Sequence, residues 1–173
     1  MTISIKPTAS GSTIEQDGST ILTVDGSGNI TPSNNLYPKV PAFSAWLSAD
    51  QTYSANTWTK VTMDTKRFDT TNNYDNTTNY RYTPSVAGYY QVTIGLFQNA
   101  GNRMVIGLRK NGSIEQHLHD GDFGGVGNYG PRGSALVYLN GSGDYIEAYV
   151  YSSATTINNN NARNTFEAHL VSV

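Results

Sequence analysis

The chain has 173 residues, with 11 Lys and Arg against 13 Asp and Glu, no Cys, and only 14% charged side chains. A formal net charge of −2 with no local Lys/Arg cluster supplies no positive field for a phosphate backbone, which argues against nucleic-acid binding; the lack of Cys removes disulfides and thiolate chemistry. No stretch approaches the ~20 apolar residues of a membrane span, and residues 1–10 lack the apolar run of a secretion signal, so no membrane insertion and synthesis in a cytoplasm are expected.

Apolar residues make up 37%, with 17 Gly and 12 Tyr beside abundant Asn, Thr and Ser, a composition that favours a turn-rich all-β chain. Residues 1–40 carry only short apolar alternations, such as Ile3/Ile5 and Ile21/Leu22/Val24. Such a segment forms strands but is too small to bury a core alone. Within it, 20–31 reads as a hairpin: Ile21-Leu22-Thr23-Val24 leads into Asp25-Gly26-Ser27-Gly28-Asn29 and returns through Ile30. Ser33-Asn34-Asn35 and the prolines at 32, 38 and 41 mark a linker. The boundary falls near residue 40, giving an extended, β-rich N-terminal arm, 1–40, and a main domain, 41–173.

The main domain is a succession of period-2 segments. In 90–97, Tyr90, Val92, Ile94 and Leu96 point one way while Gln91, Thr93 and Gly95 point the other. Met104, Ile106 and Leu108 share a face of the next segment. Asn111-Gly112 is the dipeptide of a two-residue turn with both central φ angles positive, so strands at about 104–110 and 113–118 should pair. The triplets Ala135/Val137/Leu139, Ile146/Ala148/Val150 and Phe166/Ala168/Leu170 repeat the alternation, and no helical period of useful length occurs. Short strands with turns between them indicate an antiparallel β-sandwich or jelly roll.

Several strings occur in a suggestive order: Pro41-Ala42-Phe43-Ser44-Ala45, Phe68-Asp69, Asn73-Tyr74-Asp75, Tyr82-Thr83-Pro84-Ser85-Val86-Ala87-Gly88-Tyr89-Tyr90, Leu108-Arg109-Lys110-Asn111-Gly112, Gly143-Asp144-Tyr145-Ile146 and Phe166-Glu167-Ala168-His169-Leu170. Together they resemble the complement globular-head and tumour-necrosis-factor-like jelly roll over roughly residues 41–173. The resemblance implies a ten-stranded jelly roll that assembles as a homotrimer. Complement members carry a collagen stalk, whereas the glycines of 1–40 have no three-residue period. That departure points toward bacteriophage structural proteins with similar trimeric domains. The run Ser12-Thr13-Ile14-Glu15-Gln16-Asp17-Gly18 and its neighbouring hairpin resemble virion-anchoring segments of such proteins.

Tyr145, Tyr149 and Tyr151 fall on the strand face opposite Ile146, Ala148 and Val150, and Tyr138 opposes Val137 and Leu139. With the aliphatic face inside a sandwich, the tyrosines lie outside. They are either a partly polar subunit interface, since each ring brings contact area and a hydroxyl, or strand-favouring residues left half exposed.

No catalytic constellation stands out: there is no Gly-x-Ser-x-Gly elbow, phosphate loop or His-Glu-x-x-His helix, and enzymatic activity is not expected. His117 and His119 should share a strand face, with Asp120 and Asp122 following in a loop, a donor set compatible with a divalent metal. The same string reads more simply as a solvent-facing strand end running into the glycine-rich loop 121–130. Neither a metal nor another cofactor is therefore expected. Asp122, Phe123, Asn128, Tyr129 and Arg132 in the loop 121–132 form a mixture able to stack on and hydrogen-bond a sugar, or a flexible connection.

The reading that follows is a virion structural protein: a trimeric capsid decoration (cement) or short head-fibre protein on the particle surface. Its partners are itself and other virion proteins such as the major capsid protein, with residues 1–40 as anchor. The alternative is a tail-fibre receptor-binding module for host cell-surface glycans.

Overall fold

The computed structural model describes residues 2–9, 11–32, 40–100, 102–122, 124–125 and 127–173. The linker expected at Ser33-Asn34-Asn35 and Pro38 lies outside these residues, as does Phe123. The chain divides into two compact units, Met1–Lys39 and Val40–Val173. All regular structure among the described residues is β.

In the first unit, β1 (Ile3–Thr8), β2 (Gly11–Gln16), β3 (Ser19–Asp25) and β4 (Ile30–Pro32) pair in chain order as an antiparallel meander. The hairpin expected at 20–31 is β3–β4. Asp25 builds its turn, with Oδ1 accepting the N–H groups of Ser27 and Asn29, both at 2.9 Å. The sequence reading missed a second hairpin, in which Asp17 and Gly18, with φ of 49° and 83°, join Gln16 to Ser19. Period-2 alternation and the strand registers put Ile5, Ile14, Leu22, Val24 and Ile30 on one face, and Lys6, Thr13, Thr23 and Thr31 on the other. The Lys6–Glu15 ion pair, 2.6 Å, lies on the polar face. None of the described side chains of this unit is buried.

The second unit contains β5 (Ala42–Trp46), β6 (Gln51–Thr52), β7 (Thr59–Lys60), β8 (Thr65–Asp69), β9 (Tyr74–Asp75), β10 (Arg81–Tyr82), β11 (Gly88–Gly95), β12 (Met104–Lys110), β13 (Ser113–Gly121), β14 (Arg132–Leu139), β15 (Ile146–Ser152), β16 (Thr156–Ile157) and β17 (Thr165–Ser172). Sheet I runs β14-β11-β17-β5-β8. Sheet II runs β13-β12-β15-β10-β9, with β7 added against β15, and β6 and β16 form a separate pair. Between β8 and β17 the chain passes repeatedly from one sheet to the other. The two main paths supply the ten strands of a jelly roll, as the resemblance implies.

Alternation decides what goes between the sheets. Tyr90, Val92, Ile94 and Leu96, then Met104, Ile106 and Leu108, then Ile146, Ala148 and Val150 are all fully buried. Phe43 of β5 crosses the gap, stacking on Tyr74 at 4.6 Å and on Tyr82 at 4.4 Å, both from sheet II, and meeting Phe166 of β17 edge-on at 5.0 Å. Two of the tyrosine hydroxyls find local acceptors: Tyr74 donates to the Met63 carbonyl and Tyr90 to that of Val86, each at 2.8 Å.

The turn at Asn111-Gly112 has both φ angles positive, 53° and 80°, closing the pair Lys110–Ser113. Its second strand continues to Gly121, past the expected end near 118, with Leu118 and Glu115 as extra residues opposite Ile106/Gly107 and Leu108/Arg109 of the facing strand. Gly88, with φ of 156°, lies so close to β17 that a Cβ there would sit 2.4 Å from the Ser172 carbonyl oxygen. Phe43→Ala is expected to cost about 3–5 kcal/mol by urea denaturation, because it removes the ring that bridges both sheets. Gly88→Ala is expected to destabilise the domain in the same assay through its clash with β17.

Candidate functional site

The outer face of sheet I is set by the registers of its central strands. Tyr89 of β11 stands opposite Tyr138 of β14, and Gln91 opposite Leu136. The two rings meet edge-on at 5.4 Å, and one step along the ladder Thr93 and Ser134 share a 2.9 Å hydrogen bond. Tyr89, Leu136 and Tyr138 remain 49%, 55% and 47% exposed, and Val171 on β17 is also uncovered. Among the described residues of the unit, nothing covers this apolar patch.

Toward β8 the same face turns polar. Ser44, Arg67, Phe68, Arg132, Thr165 and Glu167 line an open depression of about 390 Å³. Arg67 donates to Ser44 Oγ at 3.2 Å, while Ser44 and Thr165 hydroxyls donate to Glu167 Oε2 at 3.3 and 3.2 Å. The walls of this depression are thus fixed by their own hydrogen bonds, with the exposed Phe68 ring and the Arg132 guanidinium at the rim.

The loop 121–132 does not gather the residues grouped there from sequence. Tyr129 is only 7% exposed and belongs to the core. Its backbone bridges Gln98 in both directions, at 2.8 and 2.9 Å, and its hydroxyl hydrogen-bonds His119 Nε2. A ring held this way offers no face to a sugar, which corrects the expectation for Tyr129. Asp122 accepts from the Gly124 N–H at 2.8 Å, Asn128 is exposed, and Arg132 belongs to the sheet I depression instead.

The histidines part as well. Ile106 opposes His119 and Gly107 opposes His117, leaving Leu118 as the extra residue of a bulge, so the strict i, i+2 alternation that would set both imidazoles on one side is broken. His117 packs against Trp58, with ring centroids 5.3 Å apart, whereas His119 turns to Tyr129. Asp120 is engaged by Arg103, which donates to both carboxylate oxygens at 2.9 and 2.8 Å and holds the carboxyl below its usual range. Among the described residues, no three His, Asp or Glu gather as they would around a metal ion.

The four tyrosines do not form one surface, because β14 and β15 belong to different sheets. Tyr138 joins the sheet I patch; Tyr149 and Tyr151 face outward from sheet II, and Tyr145 precedes β15. These three rings are met by arginines: Arg109 lies 3.9 Å from the Tyr149 centroid, Arg81 4.3 Å from Tyr145, and Arg103 5.6 Å from Tyr151. The ion pair of Lys60 with the buried Glu147 lies on the same sheet.

An open cleft of about 470 Å³ is lined by Lys66, Asn72, Asp75, Asn79 and Arg81 among others. Asp75 organises its wall, accepting the N–H groups of Thr77, Thr78 and Asn79, each at 3.0 Å, and the Asn79 side-chain amide at 2.7 Å. The backbone N–H bonds from Thr78 and Thr77, then the Asn79 amide, hold its carboxyl far below the usual carboxylate range.

No protein-family model matches the sequence, and no curated protein matches it. The structure is similar to the globular domain of a zebrafish complement 1qA protein, with a TM-score of 0.59 and 16% identity over 76% of this chain and 97% of that one. It is also similar to murine APRIL at pH 5.0, with a TM-score of 0.57 and 9% identity over 76% of this chain and 99% of that one. The chain has the complement and tumour-necrosis-factor-like jelly-roll fold.

On this jelly roll the exposed patch contains two residues that the sequence reading did not single out, Tyr89 and Leu136. A signal for Leu136 was present: Ala135-Leu136-Val137-Tyr138-Leu139 is apolar on both strand faces, which is unusual for a strand with one face in water. Arg67 and Glu167 carried no such signal, because only the pairing of β5 with β8 and β17 brings them together.

Because its folded pKa is depressed, Asp75 contributes stability that is whole above the ordinary carboxylate value of 3.8 and is lost as the pH falls below it. Asp75→Asn is expected to be less stable than the parent protein at pH 7, and the gap should narrow on acidification below about pH 4. Urea denaturation of both proteins between pH 2.5 and 7 checks this.

Proposed function

We propose that this protein is a homotrimeric structural component of a bacteriophage particle, a capsid decoration or short head-fibre protein whose jelly roll is displayed outward and whose N-terminal unit is the anchor. The reading is carried by the uncovered apolar patch of Tyr89, Leu136, Tyr138 and Val171 on sheet I. Aromatic and aliphatic side chains ringed by polar groups such as Thr93, Ser134 and His169 have the make-up of a protein interface, and each tyrosine hydroxyl can keep a hydrogen bond when its ring is covered. The resemblance stated from sequence implies three copies, and the virion setting rests on the likeness of 1–40 to virion-anchoring segments. Such a protein acts by assembly and adhesion. Three anchors on one rigid head bind a repeating surface more tightly than any one alone.

The second reading, a receptor-binding module for surface glycans, is favoured by the depression between Arg67, Arg132 and Glu167. Its pre-ordered polar groups and the Phe68 ring suit a sugar's hydroxyls and apolar face.

Light scattering on a sizing column is expected to give a mass near 56 kDa, three times the 18.8 kDa chain. The double variant Leu136→Asp with Tyr138→Asp is expected to elute as a monomer with an unchanged far-UV spectrum, since both side chains are exposed in the single chain. A monomeric parent protein would overturn the reading, and a variant that stays trimeric would move the interface elsewhere. Tight binding to emptied capsids supports the decoration role, whereas saturable glycan binding lost in Arg132→Ala supports the second reading.

A further inference from the structure

The first unit is an amphipathic sheet in which no described side chain is buried. Ile5, Ile14 and Leu22 stand directly opposite one another across β1, β2 and β3, and Val24 opposes Ile30 across β3 and β4. The same face adds Pro7 and Ser12 and carries no charged residue, while Lys6 and Glu15 pair on the reverse. Ile5 and Ile30 are 70% and 66% exposed. An isolated sheet with one apolar face open to water is a marginal structure, and a cover for that face is the missing half of its core.

We propose that the cover is the same face of sister chains: the N-terminal sheets pack apolar side to apolar side and form a second association module beside the jelly-roll contact. This rests on the self-association reading given above. Three observations select this occupant. The face is uncharged, so like can pack on like with no electrostatic complement. The patch measures only about 20 by 15 Å, from ~3.3 Å per residue and ~4.8 Å between strands, well short of the ~800 Å² that each partner of a standard free-standing complex buries. A face of that size holds poorly to a free partner but well to copies already tethered through their heads, where the effective concentration is in the millimolar range. Finally, each edge strand carries a proline, Pro7 in β1 and Pro32 at the end of β4, which blunts strand-to-strand addition and leaves the face as the route of contact.

The absence of cysteine makes the test clean. Single variants Leu22→Cys and Ile30→Cys place a thiol on the apolar face, and Thr23→Cys places one on the polar face of the same sheet. Each full-length variant is first weighed by light scattering and then treated with a short bismaleimide. The expected result is a trimer mass for all three, with covalent two-chain species at least tenfold more abundant for Leu22→Cys and Ile30→Cys than for Thr23→Cys. A trimer mass with equal or no cross-linking at the three positions overturns this proposal and leaves the jelly-roll assembly standing. A monomer mass for the parent protein removes the reading on which both depend.

Discussion

The ring stack on Phe43 is the contact on which the sandwich depends. Sheet II takes two of its main strands, β9 and β10, from segments only two residues long, each with few ladder hydrogen bonds to hold it. Those segments contribute Tyr74 and Tyr82, and both rings lie flat on Phe43, which β5 brings from the opposite sheet. Phe166 and Tyr90 close the cluster from β17 and β11. Aromatic area buried between the layers therefore replaces backbone pairing that such short strands cannot supply. The Met63 and Val86 carbonyls accept the hydroxyls of Tyr74 and Tyr90, so those polar ends are buried without loss.

With the inner faces committed to this core, function is left to the outer faces, and the two differ in character. On sheet II the tyrosine rings are met by Arg81, Arg103 and Arg109, and the buried Glu147 is matched by Lys60. On that surface each of these rings has a cation beside it. On sheet I, Tyr89 and Tyr138 meet edge-on and the Lys110 ammonium lies 6.0 Å from the Tyr138 ring, while Leu136 and Val171 stand open. The difference between a self-satisfied face and an open one is the physical ground for proposing sheet I as the assembly face. The N-terminal unit repeats the theme on a smaller scale, with an ion-paired polar side and an apolar one on which Ile5 and Ile30 are exposed.

The loop 121–132 shows how a bulge redistributes chemistry. One extra residue at Leu118 ends the strict alternation of β13, sending His117 to Trp58 and His119 to Tyr129. Tyr129 is drawn into the core by the same contact and by its backbone bridge to Gln98. A cluster that looks like a ligand set along the chain becomes three separate structural contacts, the third being Asp120 with Arg103.

The all-β class, the buried faces of β11, β12, β14, β15 and β17 and the hairpins at Asp25–Asn29 and Asn111-Gly112 were legible along the chain. Each follows from a rule that acts within a few residues: two-residue side-chain alternation, positive φ at Asn-Gly, or turn residues between apolar runs. The meander of the first unit was half legible, since Asp17-Gly18 is the same kind of turn signal but its flanking alternation is weak. Strand pairing across the fold sets Tyr138 and Tyr149 on different sheets, makes Tyr129 a core residue and brings Arg67, Arg132 and Glu167 to one depression. These depend on which strands lie side by side, on crossovers between layers and on single-residue bulges. Those are properties of pairings across more than a hundred positions, such as Ser44 with Glu167, and no local pattern encodes them.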